Sequence, residues 1–417
     1  MSYELTPATA AGEKFVRAAE SLNDRLRSRA AAADQSSSVD LDNFADLRDA
    51  GIVTAFVPEA CGGFGLSSIH DWMAGMSRLG RGDGSVAIAV NMHLGVTRGL
   101  AQAWNAARAA GNEAVATRLE EQFEQIVAGD MYICATATEP GTDNLHPLTQ
   151  ATKTDDGWHI NGLKIFVTGS PIASHLAMNL RIPAAQLSGQ ASQDAIGSVM
   201  LPLSTDGVKP QDDWQAMGMR ASGSQSIVFE NVFVAESMVR PMAPWGKWSV
   251  NSLMNRNLGN LPLLGVFVGI AEYANELALN ATATKPKAGK GRTSEGPGIQ
   301  HMIGEMEISL ATAQAMLGRM GQLADNFLEE HKGKETTLVA AHELLKDHQS
   351  MKWVVNRNAI EVVSRAMDVV GGGGFMDKNP LSRLYRDVRA GPFMQPFSPS
   401  EAREYIGKVV LGHHPED

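Results

Sequence analysis

Gly371-Gly372-Gly373-Gly374-Phe375 closes a long apolar helical run. The chain then passes Pro380, Leu384-Tyr385-Arg386-Asp387 and Gly391-Pro392-Phe393-Met394-Gln395-Pro396, and Ser398-Pro399-Ser400-Glu401 opens one more helix. One glycine after a helix is an ordinary C-cap. Four in a row imply that the backbone turns sharply twice or comes close to something. Working back from this tail, Leu338 to Val370 reads as one long helix. Ile299, Met302, Ile303, Met306, Leu310, Ala313, Leu317, Met320 and Phe327 recur mostly every three or four residues and make a second. Leu261 to Ala281 makes a third, and its first half is apolar on all sides and so expected to be buried. Three long helices and a short last one predict a four-helix bundle.

Upstream of Pro244 the texture changes. Tyr132 to Thr136, Thr149 to Thr154, Trp158-His159-Ile160, Ile165-Phe166-Val167, Leu176 to Leu180, Ile196 to Leu203 and Ser226 to Phe233 are short and often apolar or β-branched. Asp155-Asp156-Gly157 and Asn161-Gly162 have the form of hairpin turns. These segments predict a small antiparallel sheet or barrel. Before residue 130 helical spacing returns, in Leu22, Leu26, Ala30 and Ala33, in Ile69 to Leu79, in Ser85 to Ala106 and over 112–128. The expected fold class is α+β and mainly α, with an N-terminal helical domain over 1–128, a central antiparallel β-domain over 129–240 and a C-terminal four-helix bundle over 241–417.

Composition narrows the function. With 36 Lys and Arg against 46 Asp and Glu the net charge is −10, which argues against a general nucleic-acid surface. Phosphates are not excluded, because a few cations can line one pocket of an acidic protein. The two cysteines, Cys61 and Cys134, give no metal spacing and fit a reducing compartment. The N-terminus Met1-Ser2-Tyr3-Glu4 shows no basic region followed by an apolar run, and no segment reaches 18 consecutive apolar residues. A cytoplasmic protein without a membrane span is expected.

The C-terminal stretch, Ala137-Thr138-Glu139-Pro140-Gly141-Thr142-Asp143 and Asn161-Gly162-Leu163-Lys164 together resemble the acyl-CoA dehydrogenase superfamily of flavoproteins, from about residue 40 to the C-terminus. The resemblance implies FAD and a homotetramer, the latter also suggested by the all-round apolar start of the 261–281 helix. It implies that Thr136, Thr138, Phe166 and Thr168 meet the flavin ring. It places Gln300, Gly372 and Gly373 near the adenosine diphosphate half of a partner chain's cofactor. Gly218-Met219-Arg220-Ala221-Ser222-Gly223-Ser224 is similar to another family segment, in which Arg220 is a structural candidate and Ser224 touches the flavin or a neighbouring loop. The family arginine before Gln300 is replaced, with Arg292 or Lys290 as candidates. Arg386 and Asp387 read as structural.

One position breaks the family pattern. Gln395 stands where the catalytic glutamate is expected, and an amide cannot remove a proton from a thioester α-carbon. The other family position for the base, in Asn257-Leu258-Gly259-Asn260, also lacks a carboxylate. Three explanations stay open. Glu401 is the base, although Ser398 and Glu401 also form a capping box. Or the enzyme is an oxygenase that uses reduced flavin, with His93 near the flavin. Or the pocket has no turnover of the usual kind. The leading expectation is α,β-dehydrogenation of an acyl-CoA or similar thioester, with electron-transfer flavoprotein as partner. The alternatives are a flavin-dependent monooxygenase served by a flavin reductase, and a non-catalytic FAD-stabilised relative.

Overall fold

The computed structural model describes residues 3–187, 192–284 and 292–413. Lys290 lies outside them. The N-terminal helices are α1 (Ala10–Ser21), α2 (Asn23–Ser36), α3 (Leu41–Asp49), α4 (Ile69–Gly82), α5 (Gly84–Ala109) and α6 (Glu113–Ala128). Thr9, Asp40, Ser68, Asp83 and Asn112 each accept a hydrogen bond from a first-turn N–H and so set where five of these helices begin.

The strands are β1 (Ile133–Thr136), β2 (Gln150–Lys153), β3 (Gly157–Val167), β4 (His175–Ile182), β5 (Ala195–Pro202), β6 (Val208–Pro210), β7 (Gln225–Ala235) and β8 (Arg240–Pro244). They form one eight-stranded sheet in the order β6-β7-β3-β2-β4-β5-β8, with β1 also paired to β4. The sheet is mixed where an antiparallel one was expected, because β1 and β2 both run parallel to β4. The chain leaves β1 through the 137–149 loop, which is no hairpin, so β2 keeps the direction of β1. Asp155-Asp156-Gly157 does turn the chain from β2 into β3, closed by Thr154 N–H donating to Gly157 O at 2.8 Å. Asn161-Gly162 is not a turn. Both residues lie inside β3 at an irregularity in its pairing with β7, where Asn161 Oδ1 accepts from Asn231 N–H at 2.8 Å. A Cβ at Gly162 would meet Thr149 Oγ1 at 2.5 Å, so the glycine is required by close packing.

Helices resume with α7 (Val250–Asn260), α8 (Leu263–Thr284), α9 (Pro297–Glu330), α10 (Leu338–Val370), α11 (Pro380–Val388) and α12 (Pro399–Val410). α8 is the centre of the main core, with Val266, Phe267, Val268, Ile270 and Ala271 fully buried. It lies against α4 at backbone contact distance. A Cβ on Gly269 would sit 2.0 Å from Ser77 O, and one on Gly265 would sit 2.4 Å from Met73 O. The apolar start of this helix is therefore covered within one chain and gives no reason for a tetramer. The run Val250–Ala283 is apolar and long enough to cross a membrane by composition, but most of its apolar window is buried inside the protein. The fold is α+β, with N-terminal helices, a central mixed sheet and a C-terminal helix bundle.

Candidate active site

The sheet, α5 and α6 on one side, α7, and the segment after α11 enclose a cavity of about 1090 Å³. Thr136, Thr138, Phe166, Thr168 and Gln395 all line it. Met92, Val96, Leu100, Leu119 and Met200 give it a largely apolar stretch of wall, with Arg118 and Gln122 of α6 alongside. Among the described residues that line it there is no Asp or Glu, whereas Arg118, Arg240, Arg256, Arg386 and Arg389 all do so.

The 137–149 loop is anchored by a buried ion pair. Lys164, fully buried on β3, donates to Glu139 Oε1 at 2.5 Å and to Asn179 Oδ1 at 3.0 Å. Glu139 Oε2 accepts from the N–H groups of Leu148 at 2.6 Å and Thr149 at 3.0 Å. Burial pulls the Lys164 pKa down to about 8, and Glu139 opposes that shift. Further along the loop, Asp143 Oδ1 accepts from Leu145 N–H, His146 N–H and His146 Nδ1. This fixes Asn144, whose Nδ2 donates to Gln395 Oε1 at 2.6 Å. Gln395 Nε2 donates in turn to Thr138 Oγ1 at 2.9 Å. Gln395 therefore ties the C-terminal turn to the start and the middle of the loop, with both its amide oxygen and its amide nitrogen engaged. Lys352 of α10 holds that turn from beneath, donating to the carbonyls of Met394 and Phe397. Burial pushes its pKa down to about 7.

The opposite wall is aromatic and hydroxylic. Phe166 has φ of +54°, a left-handed conformation that is an outlier for a bulky residue. It costs of order 1–3 kcal/mol and is typical of binding sites. The ring is 54% exposed and meets Trp214 edge-on, with centroids 5.9 Å apart. Beside it, Thr168 Oγ1 and Ser224 Oγ share a hydrogen bond of 2.9 Å, and Ser224 and Ser222 share one of 2.7 Å. The Met219–Ser224 turn is held by Asp387, whose Oδ1 accepts from Met219 N–H at 2.6 Å. Burial raises the Asp387 pKa to about 7. Arg386 does not pair with Asp387 but with Asp34 of α2, at 3.0 Å through Nη1. Arg220 donates to Ser37 Oγ at 2.9 Å.

Other expected site residues lie elsewhere. His93 is fully buried on α5, where Nδ1 accepts from Ile133 N–H at 3.1 Å and Nε2 donates to Val53 O at 2.9 Å. The ring also stacks on Tyr132. It joins α5 to β1 and to the loop before α4, with no nitrogen left for a substrate. Burial pushes its pKa down to about 4. The unfolded chain takes up that proton first as pH falls below the usual 6.5, so folding stability should drop between there and pH 4. The loss is about 3 kcal/mol. Chemical denaturation across this range should show a shallower pH slope for His93→Gln than for the parent.

Glu401 is exposed and its Oε2 accepts from Ser398 N–H at 2.8 Å, completing the capping box of α12. It does not line the cavity. Glu401→Ala should loosen α12 slightly and leave flavin affinity unchanged, as read by circular dichroism and flavin titration. Gln300 is exposed and donates to Ser294 O at 3.1 Å. Gly372 and Gly373 form an exposed turn after α10, and a Cβ at Gly371 or Gly372 would meet nothing within 4 Å. None of the three borders the cavity. Asn144, Glu139, Lys164, Trp214 and Arg256 belong to the site but carried no role in the sequence reading. Lys164 had a legible signal, as a lone cation inside the apolar run Leu163-Lys164-Ile165-Phe166-Val167.

Three successive family models match the chain: Acyl-CoA dehydrogenase, N-terminal domain over 13–114, middle domain over 133–232 and C-terminal domain over 257–395. The chain belongs to the acyl-CoA dehydrogenase superfamily. It is an enzyme of that flavin-dependent superfamily, but its similarities point away from thioester dehydrogenation. It is 28% identical to the amino sugar nitrososynthase DnmZ of Streptomyces peucetius, over 97% of this chain and 95% of that protein. It is 28% identical to a dibenzothiophene monooxygenase of Mycolicibacterium goodii, over 88% and 86%. Among solved structures it superposes with a TM-score of 0.87 on KijD3 in complex with FMN and a dTDP-linked amino-keto sugar, at 28% identity over 99% of this chain and 97% of that one.

These similarities correct two expectations. Acyl-CoA dehydrogenation, and with it electron-transfer flavoprotein as partner, gives way to the oxygenase alternative. FAD gives way as well, because the KijD3 relative is solved with FMN. FMN has no adenosine half, so the ligand expected for Gln300, Gly372 and Gly373 falls away with FAD.

Proposed function

We propose that this chain is a flavin-dependent monooxygenase that uses reduced FMN and molecular oxygen to oxidise a nitrogen or sulfur atom of a small molecule. The observation that carries this reading is the cavity without a carboxylate, with the amide of Gln395 on its wall. Removing the α-proton of a thioester needs a base within hydrogen-bond reach, and none of the described lining residues is one. Oxygen transfer to a lone pair needs no such base. The nitrososynthase and dibenzothiophene monooxygenase relatives support the same conclusion.

The residues fit FMN. The exposed ring of Phe166, with Trp214 at its edge, suits one face of a flat tricycle. The linked hydroxyls of Thr168, Ser224 and Ser222 suit a ribityl chain or phosphate. Reduced FMN, when bound, supplies two electrons, and with oxygen it delivers one atom to the substrate while the other leaves as water. The protein's part is positioning. Asn144, Gln395 and Thr138 form a neutral hydrogen-bonded edge that orients a polar group without moving a proton. The apolar stretch of wall keeps water away from the reacting centre. A separate flavin reductase supplies the reduced FMN.

Anaerobic mixing of the FMN-loaded protein with a panel of acyl-CoA thioesters tests this. Unchanged flavin absorbance is expected, together with oxygen uptake that depends on an added flavin reductase. Rapid bleaching by a thioester would overturn the proposal.

A further inference from the structure

One cation on the cavity wall, Arg256, has a buried guanidinium nitrogen with no hydrogen-bond partner among the described residues. It lies on the face of α7 that also presents Ser252, Asn255 and Asn260 to the cavity. The unpartnered nitrogen is Nη1. Among the described residues its guanidinium makes no ion pair, and it lies over the Trp248 ring, 5.0 Å from the guanidinium carbon. Arg386, which lines the same cavity, is by contrast paired with Asp34. Burial pushes the Arg256 pKa down to about 10, with Asp143 opposing the shift, so the group stays charged at neutral pH. The residue is half-buried, and an inner guanidinium nitrogen left without a partner is unfavourable. A fold that keeps one at the wall of a cavity is poised for a ligand to supply the missing charge.

We propose that Arg256 holds an oxyanion of the substrate, a phosphate or a carboxylate, so that the substrate is an anionic small molecule. This rests on the oxygenase reading of the cavity for what happens to the rest of that molecule. A guanidinium presents a planar fork that matches either oxyanion with two parallel hydrogen bonds. No carboxylate among the described lining residues competes for it. Arg240, exposed on β8 and also lining the cavity, adds a second positive charge that draws an anion inward. Arg256 on α7 senses the charges of Asp143 and Lys164 at the 137–149 loop, whereas the hydroxyls of Thr168, Ser224 and Ser222 are linked to one another, so its charge is assigned to the substrate and the hydroxyls to FMN.

The test is calorimetric titration of the FMN-loaded protein with dTDP, thymidine and benzoate, for the parent, Arg256→Gln and Arg256→Lys. At least one anion should bind the parent, and Arg256→Gln should weaken it about tenfold or more. Arg256→Lys, which keeps the charge without the fork, should recover part of that loss. Thymidine, which lacks the diphosphate, should bind no better to the parent than to Arg256→Gln. Binding of dTDP alone identifies a phosphate ligand, and binding of benzoate alone identifies a carboxylate. Ligand-free Arg256→Gln should melt at a higher temperature than the parent, because an unpaired charge has been removed.

Equal anion affinities for parent and Arg256→Gln would overturn the proposal. So would failure of both dTDP and benzoate to bind. A loss of FMN affinity with anion binding intact would assign the charge to the cofactor. A lower melting temperature with anion binding intact would assign it to packing on Trp248. The titration involves neither oxygen nor reductant, so its failure leaves the oxygenase reading standing, and loss of that reading leaves the titration interpretable.

Discussion

Lys164→Met is expected to lower folding stability by roughly 3–5 kcal/mol, the usual cost of removing one partner from a buried ion pair. Lys164 is fully buried and Glu139 nearly so, and they are 2.5 Å apart. Without the ammonium, the Glu139 carboxylate keeps only the N–H groups of Leu148 and Thr149 as partners inside the protein. The loop it anchors carries Thr138 and Asn144, the two residues that grip Gln395, so the cavity wall should loosen as well. Denaturant unfolding should show the stability loss, and FMN should wash out of the variant on gel filtration. The double variant Lys164→Met with Glu139→Gln should recover much of the stability, because no buried charge is then left alone. A loss below about 1 kcal/mol in Lys164→Met would mean that the pair is solvated.

Phe166→Ala should raise the FMN dissociation constant by up to about tenfold, since an aromatic contact contributes roughly 0.5–1.5 kcal/mol. The ring is more than half exposed in the protein, so fold stability should change little. Phe166→Gly separates backbone from side chain. The residue sits at φ +54°, where glycine is unstrained, so Phe166→Gly should be about 1 kcal/mol more stable than Phe166→Ala while binding FMN just as weakly. Flavin fluorescence quenching on titration reads both effects. Unchanged FMN affinity in both variants would show that the flat ring lies on another wall.

Much of the fold was legible because its signals are periodic. The three-to-four spacing around Met306, Leu310, Ala313 and Leu317, and the short apolar or β-branched runs that include Ile160 and Val199, report burial directly. Asn161-Gly162 misled because hairpin propensity is local, while the close approach of Thr149 that requires the glycine comes from the end of the 137–149 loop. Within the site, Thr136, Thr138, Phe166, Thr168 and Gln395 were recognisable from family-like strings. His93 was misread because the ring bonds that occupy it run to Val53 and Ile133, distant in the chain. Arg256 could not be read at all. Asn255-Arg256-Asn257 looks like any polar helical turn, and only the packed structure shows that Nη1 of Arg256 is buried without a hydrogen-bond partner. The reaction was the least legible part, because the motifs report the flavin scaffold and the scaffold serves more than one chemistry.

The central claim is that this cavity performs oxygen transfer. It is tested most directly by single-turnover mixing of the protein carrying chemically reduced FMN with isotopically heavy oxygen and a panel of amines and thioethers, read by product mass. Product carrying one heavy oxygen atom, formed only when protein and reduced FMN are both present, is the result predicted. No labelled product from any of the panel, alongside anaerobic bleaching of the oxidised protein by an acyl-CoA, would contradict it.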